Sequence, residues 1–274
     1  DEDLGDRGDV TARAMGSASR RTRASLRARE AGVAAGLAVI PTLLDVFGAP
    51  IEGSPGVRDG QRFEKGDTLA TLTGDLAQVV AVERTLLNLV GRLCGVATLT
   101  RRYVDAVAGT KAAILDTRKT TPGLRVLEKY AVRCGGGHSH RLGLHDGVLV
   151  KDNHIAGVPL DELTSTLTRA AEAAKGAGDL LFFEVEVDSL DQFSRVLAVP
   201  PWLIDIALLD NMASATMREA ARLRDATNPA LLLEASGGVR LDTVRAIAET
   251  GVDRISVGAL THGATSLDLG LDID

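Results

Sequence analysis

Charged side chains follow several short apolar runs in the second half of this chain. Asp116, Lys151, Glu186, Asp210 and Glu234 each stand at or next to the end of such a run. A charge at the end of an apolar strand needs a ligand or an ion partner, because burial of an unpaired charge is costly. The pattern therefore predicts a site that contains both cations and carboxylates.

The cations of this set indicate an anionic ligand. Arg118 and Lys119 follow Asp116 and precede a proline at the start of a helical segment. A guanidinium binds a carboxylate through two parallel hydrogen bonds, whereas an ammonium acts as a point charge. A solvated loop remains the alternative for Arg118 and Lys119. Lys151 ends an apolar run, which is typical of an anion-binding lysine or of a Schiff-base former.

Three glycines at 135–137 precede the sequence His138-Ser139-His140-Arg141. Glycine lets the backbone bend sharply and approach an anion closely. His140 and Arg141 would then add hydrogen-bond donors to the same site. The alternative is a metal pair formed by His138 and His140, but the adjacent arginine favours an anion over a cation.

Carboxylates occur at the ends of two consecutive apolar runs. Glu184 and Glu186 are two residues apart, so in a strand both point to the same face. Mg²⁺ with a bound pyrophosphate, together with ribose hydroxyls, would satisfy Glu184 and Glu186, and Asp210 at the next strand end would share this role. A structural ion pair with Lys151 is the alternative.

Small residues follow the last two apolar runs and indicate a phosphate site. Ser236, Gly237 and Gly238 come after the first run, and Gly258 comes after the second, ahead of His262. Turns of this kind expose backbone N–H groups, and late strands of α/β barrels often bind phosphate there.

From residue 112 onward the chain alternates apolar runs with helical segments. This repeat predicts parallel strands with helices outside. Because chemical groups follow nearly every strand, an α/β barrel is favoured over an open doubly wound sheet. Six strands are clear and a seventh lies near 136–142, so the barrel is incomplete if the seventh does not form. The strand candidates are 113–116, 148–151, 182–187, 206–210, 231–234 and 255–257, and the helix candidates are 122–133, 160–176, 189–198, 213–225 and 240–250.

The first part of the chain predicts a different, mixed α/β arrangement. A strand is expected at 22–30, a helix at 36–47, and two short strands between 56 and 72. A long helix follows at 75–108, and Gly91 and Gly95 predict a break in it. Its apolar stripe consists of Val79, Val82, Leu86, Leu89, Leu93 and Val96.

Composition excludes several classes of protein. The net charge of −6 argues against a general nucleic-acid surface. Two cysteines without CxxC spacing argue against a structural zinc site and a disulfide framework. No apolar run spans a membrane and no leader peptide is visible, although residues before Asp1 are expected to be missing. The basic run at 20–29 predicts a solvated strand face, with an anion-attracting surface as the alternative.

Taken together, these segments resemble the quinolinate phosphoribosyltransferase family, the carboxylating nicotinate-nucleotide pyrophosphorylases. The resemblance covers nearly the whole chain, and the block from 140 to 154 is its most specific part. The matching segments are EDLG-x-x-GDVT at 2–11, ERTLLNL at 83–89, DTRKTTPGLR at 116–125, EKYAVRCGGG at 128–137, HRLGLHDGVLVKDNH at 140–154, EVEVDSL at 184–190, LLDN at 208–211, EASGG at 234–238 and SVGALTH at 256–262.

The resemblance implies an N-terminal α/β sandwich domain over 1–93, joined by 263–274, and a catalytic α/β barrel over 94–262. It also implies a homodimer in which Arg84 reaches the site of the neighbouring subunit. Arg118, Lys119, His140, Arg141 and Lys151 would line the pyridine site. Further roles carried over are Glu186 and Asp210 for ribose hydroxyls and Mg²⁺, Ser236, Gly237, Gly238 and Gly258 for the ribose 5-phosphate, and His262 near that phosphate. Lys119, Lys151, Glu186 and Asp210 would be the catalytic residues.

The implied reaction joins quinolinate to phosphoribosyl pyrophosphate in the cytoplasm and releases CO2 and pyrophosphate. The expected product is nicotinate mononucleotide, a precursor in NAD biosynthesis. One departure from the family pattern is His138-Ser139, where small or amide residues are common. Three alternatives stay open: a Schiff-base aldolase using Lys151, a related transferase that acts on nicotinate or an unusual pyridine acid, and a non-catalytic paralogue.

Overall fold

The computed structural model describes residues 2–16, 20–48, 50–176 and 178–274. Contacts between residues divide the chain into two units. The first unit consists of Asp1–Arg101, Leu127–Gly136 and Gly263–Asp274, and the second of Arg102–Val126 and Gly137–His262. Every site residue predicted from the strand ends belongs to the second unit, whereas Arg84 belongs to the first.

The first unit combines antiparallel strands with two main helices. Its elements are α1 (Val10–Ala14), β1 (Arg21–Ala28), β2 (Gly32–Val33), a 3-10 turn (Leu37–Val39), α2 (Ile40–Phe47), β3 (Glu52–Pro55), β4 (Arg62–Phe63), β5 (Thr68–Asp75), most of α3 (Leu76–Ala106) and α4 (Arg125–Cys134), and β12 (Leu269–Ile273). The sheet order is β12-β1-β5-β3, and β2 pairs with β4. The C-terminal strand therefore completes the edge of a sheet that begins near the N-terminus.

Helix α3 covers this sheet with the predicted apolar stripe. Val79, Val82 and Leu86 are fully buried in one cluster with Leu26 of β1 and Leu72 of β5. Burial of such side chains stabilises the unit by about 1.5–3 kcal/mol each. The stripe prediction is confirmed except at Leu89, which is half-buried.

The predicted break at Gly91 and Gly95 is wrong, because α3 continues without interruption to Ala106. These glycines instead allow another segment to lie against the helix. A Cβ at Gly95 would stand 2.0 Å from the carbonyl oxygen of Thr265, and one at Gly91 would stand 2.9 Å from that of Leu267. The small residues therefore serve close packing of the chain that leads into β12.

The arginines of β1 and Arg29 just after it are partly or largely exposed, and they pair with acids of β3 and of the C-terminal segment around β12. Arg21 lies 3.5 Å from Glu52, and Arg23 lies 3.6 Å from Asp274. Arg27 and Arg29 both contact Asp272. These exposed pairs contribute little to stability, and they agree with a solvated strand face.

The second unit alternates strands and helices as the sequence predicts. Its elements are β6 (Ala113–Leu115), β7 (Val148–Val150), α5 (Asp152–Ile155), α6 (Leu160–Lys175), β8 (Phe183–Val187), α7 (Leu190–Leu197), β9 (Ile206–Asp210), α8 (Ser214–Thr227), β10 (Leu232–Ser236), α9 (Val244–Ala248), β11 (Arg254–Ser256) and α10 (Ala259–His262). Local sequence fixes several boundaries; Ser189, for example, caps α7 by accepting the N–H of Gln192.

The six strands form one parallel sheet in the order β6-β11-β10-β9-β8-β7. Its edge strands β6 and β7 do not pair with each other within the described ranges, so the barrel stays open there. The expected seventh strand near 136–142 is reduced to a single parallel bridge between His138 and Leu115. The architecture is therefore an incomplete α/β barrel, as six clear strands indicated.

A buried ion pair links α8 to the amino-terminal ends of β10 and β11. Arg224 is 3% exposed, and its Nη1 donates to Asp253 Oδ2 at 2.7 Å. The same carboxylate accepts the backbone N–H of Leu233 at 2.9 Å. Burial opposes ionisation of Asp253, but the bonds from Leu233, Lys111 and Arg224 outweigh it and lower the pKa of this carboxyl. The pair thus links α8 to β10 and to the start of β11.

Across the residues that the structure describes, we find no helix with the length and apolar character needed to traverse a bilayer.

Candidate active site

A cavity of about 960 Å³ opens at the carboxyl ends of the parallel strands in the second unit. Its size suits a small-molecule site, for which roughly 300–1,000 Å³ is usual. Every site residue that the family resemblance implies in this unit lines it. These residues are Arg118, Lys119, His140, Arg141, Lys151, Glu186, Asp210, Ser236, Gly237, Gly238, Gly258 and His262. The βα repeat thus gathers into one wall side chains that are up to 144 residues apart, from Arg118 to His262.

Arg118 carries donors that the protein itself does not use. Its Nε and Nη1 are buried, and neither has a hydrogen-bond partner among the described residues. Arg141, 7% exposed, lines the same cavity, and its Nη1 donates to the carbonyl oxygen of Gly147 at 2.9 Å. Burial and then the charge of Arg118 lower the pKa of Arg141. Because unused buried donors are costly, this wall suits a ligand that supplies anionic acceptors.

Lys151 follows β7 and forms an ion pair with Glu186 of β8. The ion pair that the sequence left open as an alternative is therefore present. Both side chains also line the cavity, and Lys151 remains 43% exposed there, so a ligand can reach the ammonium.

His140 lies deeper in the barrel, between two carboxylates that have no solvent exposure. Its Nε2 is 3.0 Å from Glu184 Oε2 and 3.4 Å from Glu234 Oε1. Arg254 Nε donates to Glu234 Oε2 at 2.7 Å. Burial by itself lowers the pKa of the imidazole, but Glu184 and Glu234 outweigh burial and raise it to about 9.

The second ring nitrogen of His140, Nδ1, makes a contact that favours the neutral form of the ring. The backbone N–H of Arg141 points to Nδ1 at 2.8 Å, which favours an unprotonated nitrogen. This single neutral donor acts more weakly than two buried charges. Burial and the charge of Glu234 raise the pKa of Glu184, whereas His140 and Arg254 outweigh burial at Glu234 and lower its pKa, so Glu234 is the firmer anionic partner of the ring. We therefore describe His140 as a cation at neutral pH.

The metal pair considered for His138 and His140 does not form. His138 and Ser139 are exposed and do not line the cavity. The His138-Ser139 pair, which departs from the family pattern, therefore lies outside the cavity wall. Within the described residues, the group close enough to share an ion is His140, Glu184 and Glu234. Arg254 already binds that group, which makes it an ion-pair network.

The turn after β10 has the backbone conformation expected of a phosphate site. Gly237 and Gly238 adopt φ of 88° and 58°, a region that favours glycine. Gly258 follows β11, and a Cβ there would lie 3.0 Å from Lys119 Cδ and 3.2 Å from His262 Nε2. Glycine at 258 thus lets a lysine and a histidine lie close to the backbone at this end of the cavity.

Glu186 and Asp210 end neighbouring strands and line a second, smaller cavity of about 290 Å³ as well. Asp210 Oδ2 accepts the side-chain N–H of Asn211 at 2.8 Å. Carboxylate oxygens that border both cavities are suitable ligands for Mg²⁺, which prefers oxygen and keeps several waters. The residues present therefore fit such an ion.

Arg84 is exposed on α3 in the first unit and is not among the residues that line the cavity. Sequence reasoning also missed some residues that do lie at the site. Arg254, which binds Glu234 of the cavity wall, was given no role, and no local pattern in the sequence identifies that pair. Asn211 and Arg240 line the cavity too. Asn211 directly follows Asp210, and Arg240 lies two residues after Gly238.

Two family models match consecutive parts of the chain. The model for the quinolinate phosphoribosyl transferase N-terminal domain matches residues 9–94. The model for the C-terminal domain matches residues 96–272.

Curated relatives and solved structures agree with these matches. The chain is 46% identical over 269 residues to a carboxylating nicotinate-nucleotide pyrophosphorylase of Mycobacterium leprae, covering 97% of this chain and 91% of the relative. It is 36% identical to a decarboxylating quinolinate phosphoribosyltransferase of Nicotiana tabacum, with 100% and 79% covered. The crystal structure of the nicotinate-nucleotide pyrophosphorylase from Ehrlichia chaffeensis superposes with a TM-score of 0.89 at 36% identity, covering 100% of this chain and 95% of that one.

Proposed function

The chain belongs to the quinolinate phosphoribosyltransferase family, and we propose that its barrel cavity carries out the reaction after which that family is named. The enzyme transfers a phosphoribosyl group from phosphoribosyl pyrophosphate to quinolinate and decarboxylates the product. Nicotinate mononucleotide, CO2 and pyrophosphate result, and the reaction serves NAD biosynthesis.

One observation carries this proposal: the cavity wall concentrates cations, and one of them, Arg118, has buried donors that the protein leaves unused. Arg118 contributes two buried donors without partners. Lys119, Arg141 and Lys151 line the same wall. Quinolinate has two carboxylates on adjacent ring carbons, and phosphoribosyl pyrophosphate adds phosphate charges. The ligands thus supply the acceptors that the wall lacks.

The cations also explain why nicotinate is expected to be a poor substrate. Nicotinate lacks one of the two carboxylates and would leave buried donors of the wall unpaired. Such a mismatch discriminates by factors of about 10⁴–10⁵ where a site is built around a polar group. Use of nicotinate at a comparable rate would contradict this proposal.

The chemistry requires charge stabilisation at two points. The C1–O bond of the donor breaks with its electrons on pyrophosphate, and the ring nitrogen of quinolinate uses its lone pair to bond C1. Positive charge that develops at C1 is stabilised by the carboxylates of Glu186 and quinolinate. The bond between C2 and its carboxylate then breaks, CO2 leaves, and the electron pair at C2 takes a proton.

The cations of the wall contribute mainly by position. Arg118 and Arg141 hold quinolinate with its ring nitrogen directed towards the ribose, while Lys119 and His262 lie near Gly258 at the phosphate end. The turn of Ser236, Gly237 and Gly238 presents backbone N–H groups to the 5-phosphate. Holding two reactants in line removes much of the entropic cost of their encounter.

We assign Glu186 and Asp210 as the ligands of Mg²⁺. The ion would screen the pyrophosphate from these carboxylates and stabilise it as a leaving group. The support is the donor set itself, two carboxylates on neighbouring strands that border both cavities. Glu186→Ala should impair catalysis far more than quinolinate binding; full activity at low Mg²⁺ would contradict the assignment.

We further propose that the enzyme acts in the cytoplasm as a homodimer and that Arg84 completes the site of the partner subunit. Arg84 is exposed on α3 of the first unit and is not among the residues that line the cavity of the second. In a two-fold dimer each site would receive one arginine in return. Both cysteines are free, which agrees with a reducing compartment.

The direct test is incubation of the protein with quinolinate, phosphoribosyl pyrophosphate and Mg²⁺. Mass spectrometry should detect nicotinate mononucleotide, and Lys151→Ala should abolish its formation. Trapping of a carbonyl substrate on Lys151 by borohydride, without product from quinolinate, would favour the aldolase alternative instead.

A further inference from the structure

Asn211, at the candidate site, has a left-handed backbone conformation, which is unusual for a residue other than glycine. Its φ is +52°, and it is the one non-glycine residue with positive φ in the described part of the chain. The left-handed region is costly for most residues and is tolerated best by asparagine and aspartate. Residues held in such conformations often serve a site rather than the fold.

Three contacts hold Asn211 in this conformation. Its backbone N–H donates to the carbonyl oxygen of Ser236 at 2.9 Å. Its Nδ2 donates to Asp210 Oδ2 at 2.8 Å. Its amide also covers Gly237, where an added Cβ would stand 2.2 Å from Oδ1 and 2.4 Å from Cγ. The residue therefore connects the end of β9 with the turn that follows β10.

The two ends of this connection recognise different parts of the same ligand. Asp210 is assigned to ribose hydroxyls and Mg²⁺, and the turn of Ser236, Gly237 and Gly238 is assigned to the 5-phosphate. Within a bound phosphoribosyl group the hydroxyls and the phosphate are joined covalently, so the protein must hold their partners at a fixed separation. Asn211 is placed to set that separation.

We propose that Asn211 is a positioning residue for the phosphoribosyl donor. It orients the carboxylate of Asp210 relative to the Ser236–Gly238 turn, and it thereby selects ligands that carry both ribose hydroxyls and a 5-phosphate. The inference rests on the proposed function. It predicts that loss of the amide weakens recognition of the donor while recognition of quinolinate is retained.

Glycine is the informative substitution, because it accepts positive φ and removes only the amide. Asn211→Gly should raise KM for phosphoribosyl pyrophosphate about tenfold, the effect expected from the loss of one hydrogen bond to a charged group. KM for quinolinate should change by less than about twofold on the same reasoning. Asn211→Asp keeps the backbone preference but places two carboxylates together, so its donor KM should rise further. Asn228→Gly, at the end of α8, is the matched control and should behave as the wild type.

Binding without turnover separates positioning from a purely structural role. Calorimetry should show that Asn211→Gly binds ribose 5-phosphate about tenfold more weakly but binds inorganic phosphate as the wild type does. Equal weakening of both ligands would mean that Asn211 only supports the turn, and unchanged binding of both would also overturn the proposal. If the wild type itself forms no nicotinate mononucleotide, the proposed function fails instead, which distinguishes the two outcomes.

Discussion

Arg118 offers a test in which activity and stability should change in opposite directions. Arg118→Met keeps most of the aliphatic stem but removes the charge and the two buried donors that lack partners. Two hydrogen bonds from a charged group to quinolinate contribute about 3–6 kcal/mol, at about 1.5–3 kcal/mol each. Since about 1.4 kcal/mol corresponds to a factor of ten, kcat/KM for quinolinate should fall by about 10²–10⁴.

The ligand-free protein should become more stable through the same substitution. Each buried donor without a partner costs about 1–3 kcal/mol, and the charge of Arg118 also disfavours the charged form of Arg141. Removal of both donors should raise the free energy of unfolding by about 2–6 kcal/mol, which corresponds to a rise in Tm of about 4–10 °C for a chain of this size. Quinolinate, which should raise the Tm of the wild type, should no longer raise that of the variant.

Thermal and urea unfolding, each with and without quinolinate, measure both effects. Arg222→Met is the control, because Arg222 is an exposed arginine of α8 that pairs with Glu219. It should leave kcat/KM and the quinolinate-induced shift unchanged. A ligand-free Arg118→Met protein that is less stable than the wild type would refute the reasoning, since it would show that the protein itself satisfies those donors.

Four further outcomes follow from the structure. His140 should titrate near pH 9 in NMR spectra, and the stability it contributes should be present below about pH 6.5 and be lost as the pH rises through 9; titration at or below 6.5 would contradict the ion-pair network. Asp253→Asn should lower the free energy of unfolding by about 1–3 kcal/mol in urea titrations, since it removes one of the two carboxylates that pair with the buried Arg224 and leaves Asp225 as the other. In the wild type, the lowered pKa of Asp253 means that this stability is present above about pH 4 and is lost as the pH falls further. Gly95→Ala should cost at least about 1–3 kcal/mol in the same titrations, because its Cβ would overlap a carbonyl oxygen; wild-type stability would show that the packed segment moves freely. Refolding a mixture of Arg84→Ala and Lys151→Ala chains should restore roughly a quarter of wild-type activity if Arg84 acts across a two-fold dimer; no recovery despite demonstrated heterodimers would reject the shared site.

Much of the second unit could be predicted from the sequence, because the patterns that mark its strands and turns lie within short stretches of the chain. Each strand is a short apolar run, and the group that follows it marks the carboxyl end. Lys151, Glu186 and Asp210 could thus be assigned to one face before their distances were known. The turn at Gly237 and Gly238 follows from residue types that allow positive φ.

Other features depend on contacts between distant segments, which a sequence pattern does not contain. Gly91 and Gly95 suggested a helix break, but their small size serves the close approach of Thr265 and Leu267. The network around His140 joins β8, β10 and β11, and nothing near Arg254 in the sequence identifies Glu234 as its partner. The contact of Asn211 with Gly237 likewise appears only once β9 and β10 are neighbours.

We propose that this cavity couples phosphoribosyl transfer to decarboxylation of quinolinate. The most direct measurement uses quinolinate labelled with ¹³C in the carboxylate next to the ring nitrogen, together with phosphoribosyl pyrophosphate and Mg²⁺. We expect labelled CO2, pyrophosphate and unlabelled nicotinate mononucleotide in equal amounts, with no CO2 when the phosphoribosyl donor is omitted. Labelled CO2 released without the donor, or a nucleotide that retains the label, would contradict this proposal.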